Sequence, residues 1–486
     1  MNVEDPIAAV NKDNLLTIAI FSFLYVVLFA LTAQNPFFWD TVQLGSMHAH
    51  HIYESNFSSL NLPDYMDSGH PPLLGFLLAI SWKLLGKSLL VSHLLILPFL
   101  LLLIVQVVHF VNKFVKNKTD RFFLASLVLL DPTLLSQATL VSPDIILISF
   151  FFFSLNQLIG KNRLLAVLGL VVIALISMRG MMICFALFLF IVFHDYFLAP
   201  DKRDWFQILI SRFLIFLPAG TAALSFLVFH YLSKGWVGYH DASPWFQSFQ
   251  IVKLKVVVRN FFISIWRVID FGRIFLYGLL LCILLLKRKS LAAFLKSKPF
   301  IFLISLSVIL FVFTVLPLIF YKGLLAHRYL LPFILVLSII AGVAICFFTY
   351  KSRFGQIIKV SALIGLLTGN LWTYPEGIAM GWDSTLAHLP YYSLKKEMIN
   401  YLNNQAIPIE KVGVAFPEEA MRKFIDLSSD TSSFHRYNLE TSKYILYSNV
   451  YNAFRDMEIF ELKEKWVSIK KLTSPTVTMI LYKKPD

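Results

Sequence analysis

Residues 34–70 read QNPFFWDTVQLGSMHAHHIYESNFSSLNLPDYMDSGH, and residues 71–86 continue PPLLGFLLAISWKLLG. The first of these segments holds no Lys and no Arg, although the chain carries a formal net charge of +14. It does hold Asp40, Glu54, Asp64 and Asp67, and four histidines, His48, His50, His51 and His70. An acidic, aromatic, histidine-rich stretch in so basic a chain reads as one wall of a site. Whether the segment after it crosses a membrane decides how every later apolar run is threaded.

The composition makes a membrane the setting. Of 486 residues, 57% are hydrophobic and 15% charged, with a mean hydropathy of +0.70; soluble domains run near about 25% charged. Continuous apolar runs of about 20 residues recur as far as residue 373, which suits helices rather than the short alternating segments of a β-barrel. Cys184, Cys282 and Cys346 all lie inside such runs, so no disulfide framework is implied. The basic residues sit mostly in short loops between runs, where topology explains them and nucleic acid does not. The first run, Leu15 to Ala33, follows a weakly acidic leader and exceeds a signal-peptide core, so it reads as a retained anchor.

Basic clusters fix the threading. Lys113 to Arg121, Lys161 and Arg163, Lys202 and Arg203, Lys287 to Lys289, and Lys351 to Lys359 all fall inside under the positive-inside rule. Segments 34–70, 138–143, 178–181, 233–258 and 321–328 then fall outside. If 71–86 crossed alone, the acidic loop and the basic loop at 113–121 would share a side. The parity therefore predicts that 71–86 is an amphipathic or half-inserted helix opened by Pro71 and Pro72. Crossings are expected near 15–33, 89–111, 121–138, 145–160, 164–178, 181–197, 207–231, 268–286, 300–320, 329–349 and 356–373. The fold expected is a mainly α, polytopic membrane protein of about 11 (roughly 10 to 13) transmembrane helices, with juxtamembrane helices in the first outer loop, 34–86. The transmembrane domain spans 1–373. Period-2 apolar runs at 411–416, 443–448 and 476–482, with helices near 417–428 and 452–466, predict a small extracytoplasmic α/β domain in 374–486.

Several residues in this threading have chemistry to offer. Asp40, in Phe37-Phe38-Trp39-Asp40, is an acid at the membrane surface that can take a proton from an acceptor; its plainer reading is a solvated loop acid. Asp144, in Ser142-Pro143-Asp144, opens a span from outside and is either a helix cap or a second site acid. Cations stand at other outer boundaries: Arg179, which interrupts a long apolar stretch, then Arg259, Arg267, Lys322, His327 and Arg328. They suit a lipid-borne phosphate, although snorkelling to the interface accounts equally for Arg259 and Arg267. His48, His50 and His51 are the donors a divalent ion would use, set against the commoner reading of loop histidines packed among aromatics. No Gly-rich phosphate loop, GxSxG elbow or CxxC pair is present.

Four short motifs in order carry a resemblance: Trp39-Asp40 in the first outer loop; Gly69-His70-Pro71-Pro72-Leu73 closing it; Ser142-Pro143-Asp144 at a span start; and Arg328-Tyr329-Leu330-Leu331-Pro332 late in the chain. In these, residues 15–373 resemble the GT-C membrane glycosyltransferases, in the branch of protein O-mannosyltransferases and lipid A aminoarabinose transferases. The resemblance implies juxtamembrane helices in the first loop and an inverting transfer of a sugar from a polyprenyl-phosphate donor to an acceptor at the outer face. It implies Asp40 as general base and Asp144 as the acid that orients base or sugar. His70 stands where some relatives have a phosphate-binding Lys, and Arg179 resembles the Lys of the aminoarabinose branch, with Arg259 or Arg267 as second phosphate ligand. His327, Arg328 and Tyr329 complete the implied substrate site. Asp40 is followed by Thr41 instead of a second acid, and the large insert of eukaryotic protein mannosyltransferases is missing, so the acceptor class (lipid, glycan or protein) stays open.

The expectation is thus a glycosyltransferase of a bacterial cytoplasmic membrane, with active site and C-terminal domain outside. Its partners are a polyprenyl-phosphate sugar, an acceptor and membrane lipid, with no nucleic acid. Cations in a low-dielectric site stabilise a leaving phosphate without a metal, so no cofactor is required. The alternative is a transporter or flippase of a lipid-linked sugar; paired halves and midplane charges would mark one, whereas the charges here gather at outer boundaries.

Overall fold

The computed structural model describes residues 12–198, 204–241, 245–350 and 352–485. Apolar runs become helices throughout the first 370 residues, several of them opened by a capping side chain such as Ser88, Asn117, Ser142 or Ser177. In chain order these are α1 (Lys12–Thr32), α2 (His48–Glu54), α3 (Leu73–Leu85), α4 (Leu89–Val111), α5 (Lys118–Leu129), α6 (Pro132–Ala138), α7 (Pro143–Ile159), α8 (Arg163–Ile176), α9 (Met178–Phe193), α10 (Trp205–Lys234), α11 (Leu254–Ile269), α12 (Arg273–Leu286), α13 (Leu291–Leu295), α14 (Lys298–Leu310), α15 (Leu331–Phe348) and α16 (Arg353–Thr368). Among the described residues seven helices are long and apolar enough to cross a membrane, and nine if each of two sharply bent pairs is one span. The protein is a multi-pass membrane protein.

The expected crossing at 121–138 is broken. Asp131 accepts the N–H groups of Thr133 and Leu134 at 3.0 and 3.3 Å and so starts α6 as a separate helix. The same carboxylate is paired with Arg273 at 2.7 Å, both side chains fully buried, which ties α6 to the start of α12. The expected outer loop at 233–258 gives way at residue 254 to α11, which meets α12 at 85°. Its protein-facing side is polar: Asn260 donates to the carbonyls of Ile319 and Tyr321 at 2.9 and 3.0 Å. Leu254, Val258, Phe262 and Trp266 are exposed on it, the arrangement of a helix that rests its apolar side on a membrane surface.

Segment 71–86 forms α3, a short helix that packs on α2 and α4 and buries Leu74, Leu78 and Trp82. Trp82 donates to Ser92 on α4 at 2.8 Å, so the indole stays satisfied where it is buried. Gly75 is the point of closest approach: a Cβ there would stand 2.5 Å from that of His48 and 3.0 Å from the backbone N of Ala49. Gly75→Ala should therefore force α2 and α3 apart and cost about 1–3 kcal/mol, read as a lower unfolding midpoint in detergent.

Beyond the last membrane helix the chain forms α17 (Pro390–Asn404), α18 (Arg422–Ile425) and α19 (Asp456–Lys465), with strands β1 (Val412–Val414), β2 (His435–Arg436), β3 (Tyr444–Ser448), β4 (Val467–Thr473) and β5 (Thr478–Lys483). The sheet order is β2-β1-β3-β5-β4, parallel across β2-β1-β3 and antiparallel for the rest. The expected helix at 417–428 shrinks to the four residues of α18, and β4 is a strand the alternation did not mark, because its residues are mostly exposed. The apolar core around the sheet reaches into the membrane part: it includes Phe38, Trp39, Leu140 and Phe271. Burying Phe38 alone is worth about 1.5–3 kcal/mol, so the sheet region and the first loop stabilise each other.

Candidate active site

Asp40 is presented by a tight turn. Thr41 Oγ1 donates to the Phe38 carbonyl at 2.6 Å and accepts the Phe38 N–H at 3.0 Å. Trp39 between them is forced to φ 58°, a left-handed conformation that a bulky residue adopts at a cost. Packing holds it there: Trp39 lies edge-on to Phe416, Phe38 stacks on His388, and Phe37 N–H donates to the Ile425 carbonyl at 2.8 Å. Asp144 sits in the first turn of α7, after Pro143 and the capping Ser142, whose hydroxyl accepts the Asp144 N–H at 3.1 Å. Arg179 is the second residue of α9, where Ser177 caps and breaks the apolar run. Arg328 and Tyr329 lie in a single 3-10 turn, His327–Leu330, that leads into α15.

These residues meet. The buried Arg328 pairs with Asp40 through one terminal nitrogen and with Asp144, at 3.3 Å, through the other. Arg179 pairs with the same Asp144 at 2.7 Å and donates to the Arg328 carbonyl at 3.3 Å. Both guanidinium groups stand over the ring of Tyr329, 4.5 and 4.8 Å from its centre, and the Tyr329 hydroxyl is 3.5 Å from Asp40. Asp40 is the least enclosed acid here, its side chain 10% exposed against 1% for Asp144, so it is the one an incoming group reaches first.

Beside the cluster is a cleft walled by His48, His70, Leu74, Pro143, Ser177 and Arg179. Its volume is about 20 Å³, the room of a water molecule, so a larger ligand must part these walls. His70 Nδ1 accepts the Met178 N–H at 3.1 Å, which leaves the ring proton on Nε2. Burial, and after it Arg179, pushes His70 down to about 3. It is therefore a neutral hydrogen-bond donor at pH 7 and not the cation its position suggested.

Other expected ligands lie elsewhere. His327 is bonded to Asp270 at 3.0 Å, and Asp270 also accepts from the Tyr374 hydroxyl, which in turn takes Arg267. Arg259 donates to the neighbouring Asn260 at 3.4 Å. His48 Nε2 donates to the Met66 carbonyl at 3.0 Å and His50 Nδ1 to the Ser46 carbonyl at 2.9 Å. Burial pushes both rings down to about 4. His50 also packs edge-on against Trp82 and Phe424. Among the described residues no three His, Cys, Asp or Glu side chains converge as a metal-ligand set.

One acid at the cluster was missed. Asp383, in the 3-10 turn Trp382–Ser384 after the last membrane helix, places Oδ2 2.8 Å from Nε of Arg328. Burial first, and then the nearby Asp40 and Asp144, push it up to about 6 against the pull of Arg328. A signal was present in the sequence: Trp382-Asp383-Ser384 repeats the pattern of Trp39-Asp40-Thr41.

No protein-family model and no curated protein sequence matches this chain. Among solved structures, ArnT from Cupriavidus metallidurans bound to undecaprenyl phosphate superposes with a TM-score of 0.51 over 96% of this chain and 97% of that one, at 10% identity. The apo state of ArnT aligns over the same shares at a TM-score of 0.49 and 11% identity. From first loop to C-terminal sheet, the chain shares the fold of ArnT.

Proposed function

We propose that the protein is an inverting glycosyltransferase that moves a sugar from a polyprenyl-phosphate carrier to an acceptor at the outer face of a bacterial cytoplasmic membrane. The observation that carries this reading is the Arg328 guanidinium held between Asp40 and Asp144, next to a cleft walled by Arg179 and His70. The fold shared with ArnT, which binds undecaprenyl phosphate, supports the donor class. The basic loops support the orientation.

In this mechanism the acceptor oxygen or nitrogen approaches Asp40. It bonds to the anomeric carbon as the bond from that carbon to the phosphate oxygen breaks, and its proton passes to Asp40. The electron pair leaves with polyprenyl phosphate, whose charge is met by Arg179 and by the Nε2–H of His70. Asp144 holds Arg179 and Arg328 in place. A single displacement inverts the anomeric centre, and no step calls for a metal.

The test is turnover of a radiolabelled polyprenyl-phosphate sugar panel by the purified protein in lipid, with lipid, glycan and peptide acceptors. Release of polyprenyl phosphate coupled to labelled acceptor is the expected result. Label that crosses vesicle membranes with its carrier intact would overturn the proposal in favour of a transporter.

A further inference from the structure

The cluster holds two guanidinium groups and three carboxylates, and the third carboxylate comes from outside the membrane helices. Asp383 is built in. Its backbone carbonyl accepts from Gln137 Nε2 of α6 at 2.7 Å, and Gln137 Oε1 takes the hydroxyl of Ser142, the cap of the helix that carries Asp144. One short relay thus fixes Asp383 and Asp144 together. The Asp383 side chain is 1% exposed as a residue, yet the Arg328 Nε–H finds no aligned acceptor although Oδ2 is 2.8 Å away. The contact is therefore one of charge and not of hydrogen bonding. A carboxylate alone against a guanidinium is held ionised and becomes a poor base. Sharing that guanidinium with other acids relieves the effect.

We infer that Asp383 is a positioning residue of this site, a counter-charge that divides the pull of Arg328 among three carboxylates and leaves Asp40 able to take a proton. The inference rests on the glycosyltransferase reading above. The charged and titratable groups facing Asp383 are Arg328 and Tyr329 from the turn before α15, Asp40 from the first loop and Asp144 from α7; the His327 ring lies beside the neighbouring Gly381.

The experiment compares pH–rate profiles of wild type, Asp383→Asn and Asp383→Glu with the same labelled donor in lipid. Asn keeps the shape and removes the charge; Glu restores the charge. Asp383→Asn should lower kcat about tenfold with donor KM within about twofold, and move the acid limb of the profile about one pH unit lower. Asp383→Glu should bring the limb back towards its wild-type position. Wild-type kinetics in Asp383→Asn would overturn the inference, as would a uniform loss at every pH with the limb unmoved, which is the mark of a structural role. A wild type that turns over no donor in the panel overturns the glycosyltransferase reading, and the inference falls with it.

Discussion

Asp40→Asn should lower turnover of the polyprenyl-phosphate donor by about 10²–10⁴-fold, the usual contribution of a positioned general base. Asn has the shape of Asp and still accepts a hydrogen bond from Arg328, so the turn at Phe38–Thr41 should persist. Its amide cannot take the acceptor's proton. The loss should therefore fall on kcat, with donor KM little changed, because Asp40 does not border the cleft of Arg179 and His70, which the proposed mechanism gives to the phosphate. Asp144→Asn should behave differently. Asp144 holds both arginines, at 2.7 and 3.3 Å, so its charge also places the groups proposed to meet the phosphate. KM should rise there as kcat falls. Steady-state kinetics on the two variants in the same lipid separate these outcomes. Equal, full activity in both would remove the acids from the mechanism.

What the sequence made legible follows from what it encodes locally. Positive loops and apolar runs set which ends of which helices share a side, and Asp40, Asp144, Arg179, Arg328 and Tyr329 all stand at those ends. Their meeting needed no long-range information beyond the threading. The charge parity that keeps 71–86 from crossing has the same origin, and α3 is a 13-residue helix packed on α2 and α4. Threading says nothing about rotation of a helix or the path of a loop. Arg259 and Arg267 sit on α11, where Arg259 is exposed beside Asn260 and Arg267 bonds to Tyr374, so neither joins the cluster. His70 stands at the cleft, but its charge state depends on burial that only the packed structure displays. Asp383 escaped because its partner lies 55 residues before it on another element; its Trp-Asp-Ser surroundings become informative only beside Trp-Asp-Thr at 39–41.

Arg328→Met should be strongly damaging to both fold and activity. It leaves Asp40, Asp144 and Asp383 gathered around an apolar side chain, and breaking a buried ion pair from one side costs about 3–5 kcal/mol. The cost has a pH signature. Asp383 already stands at about 6 with Arg328 in place, raised by burial and by its two acidic neighbours. Without the guanidinium it rises further. An acid whose folded value lies above its unfolded one makes the folded state the tighter proton binder, so the penalty is full above the folded value and fades as pH falls towards the unfolded value, about 4. The unfolding midpoint of Arg328→Met in detergent should thus lie far below wild type at pH 8 and close on it by pH 5. Arg328→Lys discriminates charge from geometry. One ammonium neutralises part of the cluster, so the fold should largely recover, but it cannot reach three carboxylates from the edges of a plane as guanidinium does. Activity should stay low in Arg328→Lys while stability returns. Recovery of both would mean that the site needs only a positive charge there, and that the three-way contact has no part in placing Asp40.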